Sequence, residues 1–510
     1  MATSVLSETK SLHVPLAYGE PPEGWTWSRL DDVSDGVFDC PHSTPKLTEA
    51  GPFVVRTQDI ITGIFRTDQA GRVSEETYAE RIARVTPSRG DLLYSREGTY
   101  FGIAAEVPAN TRVCLGQRMV LIRPDERRLH FSFLCHWLNS PIMAAHIHGY
   151  RDGTVAERLN LPTIRALPIL VPPLAEQKAI AAVLGALDDK IECHRRMNAT
   201  LEAMARALFQ SWFVDFDPVR AKLDARPPDA GRNLTQRRKD AKKGSDAEAL
   251  CAFAPLRESS PLNELFPAAF QDSPLGHIPH GWTAKPLPEA IEVNPRRTLK
   301  AGSIAPYLDM KNLPTQGHSA DEVVDREFTS GTKFQNGDTL LARITPCLEN
   351  GKTGYVDFLE DGQVGWGSTE YIVLAPKPPL PPQFGYLLAR SAALRAHAIL
   401  NMTGSSGRQR VPSDCFGKFL VAVPPRAVAQ RFGELTAPLM AKIKANANES
   451  RTLATLRDTL LPKLLSGELS VAALESGLGE VSVVKDSLTT AADRRSEGTQ
   501  DFNRFERSTP

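Results

Sequence analysis

From Ile180 to Trp212 the seam positions alternate in steps of four and three: Ile180, Leu184, Leu187, Ile191, His194, Asn198, Leu201, Ala205, Leu208 and Trp212. That spacing predicts a long helix with a coiled-coil seam. The pattern returns 252 residues later, without a gap, at Phe432, Thr436, Leu439, Ile443, Asn446, Ser450, Leu453, Arg457, Leu460 and Leu464. The polar interruptions coincide as well, His194 with Asn446 and Asn198 with Ser450. A polar residue in an apolar seam costs stability but fixes alignment, so the two helices are expected to pack in one register.

Each seam follows a short β-type run stopped by Pro-Pro, "LPILVPPLAEQ" and "FLVAVPPRAVAQ". Further upstream, "GWTW" at Trp25 matches "GWTA" at Trp282, and "SRGDLLYSREGT" matches "QNGDTLLARITP", with Asp91 against Asp338. Gly-Asp before an apolar run reads as a turn feeding a strand. The offset is constant along the helices and drifts ahead of them, so the helices are a shared scaffold and the globular parts differ. The expected fold is α/β (α+β): two similar globular domains joined by two long helices packed as an antiparallel coiled coil, a pseudo-twofold internal repeat. The expected boundaries are an N-terminal extension (1–20), a first globular domain (21–173), a first spacer helix (174–215) and a basic, proline-containing linker (216–275). A second globular domain (276–425), a second spacer helix (426–467) and a disordered tail (468–510) follow.

Composition adds bounds rather than a function. Sixty basic and sixty acidic residues cancel over 510 positions, so any contact with nucleic acid needs positive charge gathered on one face. The seven cysteines form no C-x-x-C pair and no zinc-ligand block, which fits reduced thiols in a cytoplasm. No stretch has the roughly 18 apolar residues of a membrane helix, and the expectation is a soluble, cytoplasmic protein without a membrane partner.

Catalytic signatures fail on inspection. Gly351-Lys352-Thr353 lacks the earlier glycine of a phosphate loop, because that position is Pro346, and Asn350-Gly351 reads as a two-residue hairpin turn. Asp215 and Asp217 read as the end of the long helix and a turn before Pro218, and His146 with His148 lacks a third ligand. "NPRR" at Asn294 and "DPVR" at Asp217 lack the second proline and the aromatic residue of an amino-methyltransferase motif. No catalytic, metal or cofactor site is expected in this chain.

Polar loops in corresponding places remain. In the first domain they supply Ser95, Arg96, Gln117, Arg118, Arg151, Thr154 and Arg158. In the second they supply Arg343, Thr345, Asn350, Lys352, Ser368, Thr369, Ser405, Ser406, Arg408, Gln409 and Arg410, with Arg158 and Arg410 separated by the helix offset. Arginine bonds the guanine edge through two hydrogen bonds, glutamine does the same for adenine, and glycines let backbone approach phosphate. These residues are the candidate contacts to double-stranded DNA. Arg410 is the one of its trio expected to be structural.

"VPPLAEQKAIAAVLGALDDKIE", "LFQSWFVDFDPVRAK", "SPLGHIPHGW", "GDLLYSREGT" with "CLGQRMVLIRP", "ITPCLENGKTG", "GSTEYIVL" and "MTGSSGRQRVP" together resemble the specificity subunit of type I restriction-modification systems, over about residues 20 to 466. The resemblance implies two target recognition domains, each reading one half of a split DNA site, held apart by the two helices. It also implies docking of methyltransferase subunits that use S-adenosylmethionine, and of motor-nuclease subunits that use ATP and Mg²⁺. Two departures stand out: the second copy reads "PPRAVAQRF", with one extra residue and without the Glu-Gln pair, so its strand-to-helix junction is expected to differ, and the neutral charge leaves room for partners to supply phosphate affinity. Rival readings are a stand-alone DNA-modifying or DNA-cleaving enzyme with degenerate motifs, and a protein-binding assembly scaffold.

Overall fold

The computed structural model describes residues 15, 20–98, 101–148, 158–224, 262–405 and 407–477. Arg151, Thr154 and Ser406, nearly all of the N-terminal extension, most of the basic stretch and residues 478–510 lie outside the described residues. Two compact units emerge, one drawn from Met1–Ile191 with Thr452–Pro510, the other from Glu192–Arg451.

In the first unit the strands Leu92–Ser95 and Met119–Pro124 lie at the centre of a four-stranded antiparallel sheet, flanked by Ala104–Glu106 and Ser34–Asp39. Its apolar residues are buried on both faces. Leu92, Tyr94, Val120 and Ile122 enter one core, while Leu93, Met119 and Leu121 enter another. Side chains alternate across a strand, so a strand covered on both faces reads as a continuous apolar run. A second sheet orders Gly71–Arg72, Thr48–Val55 and Val113–Leu115, the last two parallel. Thr26–Arg29 pairs with Pro168–Val171, the run that Pro172-Pro173 ends.

The second unit repeats this order. Ile291–Val293, Tyr371–Pro376, Thr339–Ala342 and Thr353–Tyr355 form the antiparallel sheet, and Thr283–Pro286 pairs with Leu420–Val423 before the second Pro-Pro. Its other sheet runs Val324–Glu327, Ile304–Leu308, Gly365–Gly367 and Thr332–Phe334. The edge strand Thr332–Phe334 has no equivalent in the three-stranded sheet of the first unit among the described residues.

The long helices are Leu174–Phe213 and Arg426–Ser466. Their pairing is antiparallel. In the first unit Ile180, Ala181 and Leu184 share a core with Leu461, Leu464 and Leu465, and Asp188 accepts from the Arg457 guanidinium at 2.7 Å. In the second unit Phe213 stacks edge-on against Phe432 with ring centres 4.8 Å apart. There Asn446 donates its amide to Asn198 at 2.8 Å, and His194 Nδ1 lies 3.2 Å from Ser450 Oγ. The expected polar seam residues are thus each other's partners.

Three expectations need correction. Part of the expected linker is folded: a helix at Asp217–Asp224 and a hairpin of Phe270–Ser273 with Gly276–Pro279. Phe216, Val219 and Phe266 join the core around Trp212 and Trp282, which gives that stretch an apolar anchor despite its charge. The tail also begins with a helix, Val471–Gly477, because Leu469, Val471 and Leu474 pack on the first core. Asn350-Gly351 is not a two-residue hairpin. Helix-like bonds from Leu348 N to Ile344 O and from Asn350 N to Pro346 O wind residues 344–352 into a longer turn.

The two strand-to-helix junctions differ chemically. Gln177, fully buried, accepts from His130 N and donates to the carbonyls of Arg128 and Pro172, all at 2.8 Å, and the Trp25 indole donates to Glu176 at 3.0 Å. Val428 and Ala429 occupy the equivalent places in the second copy, both buried. Among the described residues the buried indole nitrogen of Trp282 accordingly has no acceptor. Removing the Gln177 amide strands several buried backbone groups, so Gln177→Ala is expected to lower stability by about 2–4 kcal/mol in urea unfolding. Gln430→Ala, in the second copy, should shift it by less than about 0.5 kcal/mol.

Candidate functional site

Both candidate sites start from a buried aspartate. Gly90 (φ 96°) and Gly337 (φ 90°) take a left-handed turn that a side chain would strain, and the next residue folds back on the turn. Asp91 accepts from Ser88 N at 2.8 Å, and Asp338 accepts from Gln335 N at 2.8 Å. A guanidinium closes each turn: Arg123 holds Asp91 through two bonds of 2.7 Å, and Arg297 holds Asp338 at 2.8 Å. Burial pushes the Asp338 carboxyl up, against the pull of the Gln335 N–H and Arg297.

The strand launched by each turn ends where three chain segments meet. In the first unit Arg96 N donates to Arg118 O at 3.0 Å, and Leu159 N donates to Arg96 O at 2.9 Å. In the second, Arg343 N donates to Glu370 O at 3.0 Å and Val411 N to Arg343 O at 2.8 Å. Arg158 bridges Glu97 and Arg410 bridges Ile344, so the bridging partners follow the repeat too. One backbone frame is therefore built twice, while equivalent side chains differ: Arg118 stands where Glu370 does, and Glu97 where Ile344 does.

Side-chain pairing sorts the expected contacts. Arg96 lies 3.1 Å from Asp39, and Arg118, at φ 68°, lies 3.4 Å from Glu97. Ser95 is fully buried, its hydroxyl without a partner among the described residues, which removes it from the solvent-facing surface. The Gln117 carboxamide accepts from Thr44 Oγ1 at 3.1 Å and donates to His42 O, tying down a neighbouring loop. In the second unit Arg410 grips both Glu370 oxygens, with Nη2 at 2.7 Å, and that bond pushes its guanidinium pKa further up.

Thr345 donates to Gln409 O through both its N–H and its hydroxyl, which brings the Thr345 and Gln409 segments together. Ser368 accepts from Glu370 N at 3.2 Å, and Thr369 beside it is exposed. Thr403 and Arg410 exchange backbone bonds of 2.9 and 2.8 Å, closing a hairpin whose tip presents Ser405 and Arg408. Among the described residues the Arg408 side chain has no ion pair. Asn350 is exposed in the wound turn, and the Lys352 amine is used internally, on the carbonyls of Met310 (2.6 Å) and Lys311 (2.9 Å). Sequence reasoning missed Arg296, Arg297 and Lys333, which line a cleft with Arg343 and Thr369. The only available signal was "NPRR", weighed solely as a catalytic motif.

Among the described residues no group of three or more His, Cys, Asp or Glu side chains is placed to hold a metal ion, and no helix is long and apolar enough to cross a membrane. The chemistry displayed is that of hydrogen-bond donors and cations on a rigid frame.

Residues 22–203 match the family described as the type I restriction modification DNA specificity domain. The chain is 24% identical over 415 residues to the Type I restriction enzyme HindI specificity subunit of Haemophilus influenzae, covering 76% of this chain and 88% of that one. It is 23% identical over 473 residues to the Type I restriction enzyme MjaIX specificity subunit of Methanocaldococcus jannaschii, covering 89% and 96%. Among solved structures, the S subunit of a type I restriction-modification system from M. genitalium aligns over 89% of this chain and 98% of its own, at 15% identity and a TM-score of 0.48.

Because each aspartate is buried and charge-paired, Asp91→Ala and Asp338→Ala are each expected to cost about 3 kcal/mol. Hydrogen exchange should then show lost protection at Leu92–Ser95 in the first variant and at Thr339–Ala342 in the second. Loss of protection at both strands in either variant would contradict a local role.

Proposed function

We propose that this chain, which belongs to the type I restriction-modification specificity subunits, reads a split DNA sequence, one half with each unit. The observation that carries this reading is the junction built twice. Identical backbone bonds hold Arg96 and Arg343 in equivalent places, while Arg118 against Glu370 and Glu97 against Ile344 change what each junction displays. A frame held constant beneath exchanged polar side chains suits two readers of different base sequences, since hydrogen bonds to base edges carry the sequence information.

On this reading the chain supplies recognition and no bond-making chemistry of its own. The paired helices set the separation of the half-sites and dock methyltransferase subunits, which bind S-adenosylmethionine, and motor-nuclease subunits that use ATP and Mg²⁺ join them for cleavage. The near-neutral chain leaves part of the phosphate affinity to those partners.

Methylation-sensitive sequencing of DNA from cells with and without the gene tests the proposal. The expected result is a split motif, modified only when the gene is present. Modification without sequence preference, or unchanged on deletion, would sink it. Within that assay Arg408→Ala and Gln409→Ala should each weaken discrimination in one half-site by about 1–3 kcal/mol, that is, roughly 5- to 150-fold, and leave the other half intact. Arg410→Ala should perturb local folding of the hairpin more than base preference, because Glu370 already holds its guanidinium.

A further inference from the structure

The turn Asn294–Arg297, which matches no catalytic pattern, forms one wall of a cleft of about 370 Å³ within the second unit. Asn294 fixes that wall: its N–H donates to Val373 O at 2.7 Å, its side-chain oxygen accepts from Val373 N at 3.0 Å, and its φ is 54°. Gly331, Thr332 and Lys333, at the start of the edge strand Thr332–Phe334, line the cleft too, and among the described residues that strand has no equivalent in the first unit's sheet.

The cleft is strongly cationic. Arg296, Arg297, Lys333 and Arg343 line it, and no carboxylate does. Asp338 offsets Arg297 alone, and Lys333 lies over the Phe328 ring at 4.9 Å, which steadies its stem without neutralising it. Arg296 is exposed and has no ion pair among the described residues. The surplus positive charge suits an anionic oxygen acceptor. Arg343 belongs to both places, since its backbone builds the junction and its side chain lines the cleft. An anion here would continue from whatever lies on the junction.

We propose that this cleft holds a backbone phosphate of the DNA duplex beside the half-site read by the second unit, with Arg296 and Lys333 supplying the sequence-independent contact. The proposal rests on the recognition reading above and adds a phosphate anchor to one half of the site only.

The test measures binding of the full chain in its assembled complex to a duplex bearing the split motif, across salt concentrations, for wild type, Arg296→Gln, Lys333→Gln and the double variant. Glutamine keeps part of each stem, so folding is little disturbed. Because both side chains serve one phosphate, the double variant is expected to flatten the slope of log affinity against log salt by about 0.9, and each single variant by less. Between 50 and 200 mM salt that shrinks the double variant's affinity ratio roughly 3.5-fold. Discrimination against mismatches in either half-site should not change.

A walk of single neutral methylphosphonates along the duplex should find positions flanking the second half-site that weaken wild type and leave the double variant unaffected. Unchanged slopes in the variants, or altered base preference at unchanged slope, overturn the cleft assignment while sparing the recognition reading. Release of wild type by inorganic phosphate at constant ionic strength, with no sensitive position in the walk, assigns the cleft to a free anion and overturns it as well. Wild type without preference for the motif sinks both.

Discussion

Register between the two long helices rests on two polar contacts in a largely apolar seam, which also carries the buried Thr436 and, against Asp188, Arg457. Asn446 meets Asn198, and His194 meets Ser450. The internal repeat exchanges His194 with Asn446 and Asn198 with Ser450, so these are one contact occurring twice, as a twofold relation requires. A slip along the seam would leave Asn446 and His194, both buried, facing apolar partners. Apolar seam residues tolerate neighbouring registers far better, so the polar pairs choose one. The other ends of the same helices are core elements, with Ile180 and Leu184 in the first unit and Phe209 and Trp212 in the second.

From that fixed pairing the repeat extends outward with decreasing fidelity. The Gly-Asp turn and the three-segment junction are held by equivalent backbone bonds in both units. The Asp91 and Asp338 clamps use arginines from different places, the strand residue Arg123 and the turn residue Arg297. The attachment of helix to domain diverges further. Gln177 clasps the first domain through backbone groups, whereas in the second unit Glu202 accepts from Tyr386 Oη and from Arg206, each at 2.7 Å, beside an aromatic cluster of Phe209, Phe213 and Phe384. Backbone geometry persists because it is satisfied by any sequence that folds, while side-chain clamps can be replaced by others of equal reach.

Much of this was legible in the chain. The seam, its polar interruptions, the Gly-Asp turns, the Pro-Pro stops and the equivalence of Arg158 with Arg410 are all local patterns repeated at a near-constant offset. The loops carrying the candidate contacts were legible as loops. Their chemistry was not, because the pairing of Arg410 with Glu370 spans 40 residues and the Lys352 amine bonds carbonyls 41 and 42 residues away. The folded part of the basic stretch was hidden for the opposite reason. Phe216, Phe266 and Phe270 are too widely spaced to show a period, and it is the fold that sets Phe216 against Trp282 and Phe270, and Phe266 against Trp212.

The sequence by itself determined a duplicated two-domain chain with two long helices in one register, since periodicity and repetition are properties of position. Only the tertiary structure decided which cations stay available. Arg96, Arg118 and Arg410 are matched to carboxylates, Lys352 to carbonyls, and Arg296, Lys333 and Arg343 are gathered without a carboxylate around one cleft. A charge is free or spent according to what the fold brings within about 4 Å of it, and no spacing along the chain encodes that distance.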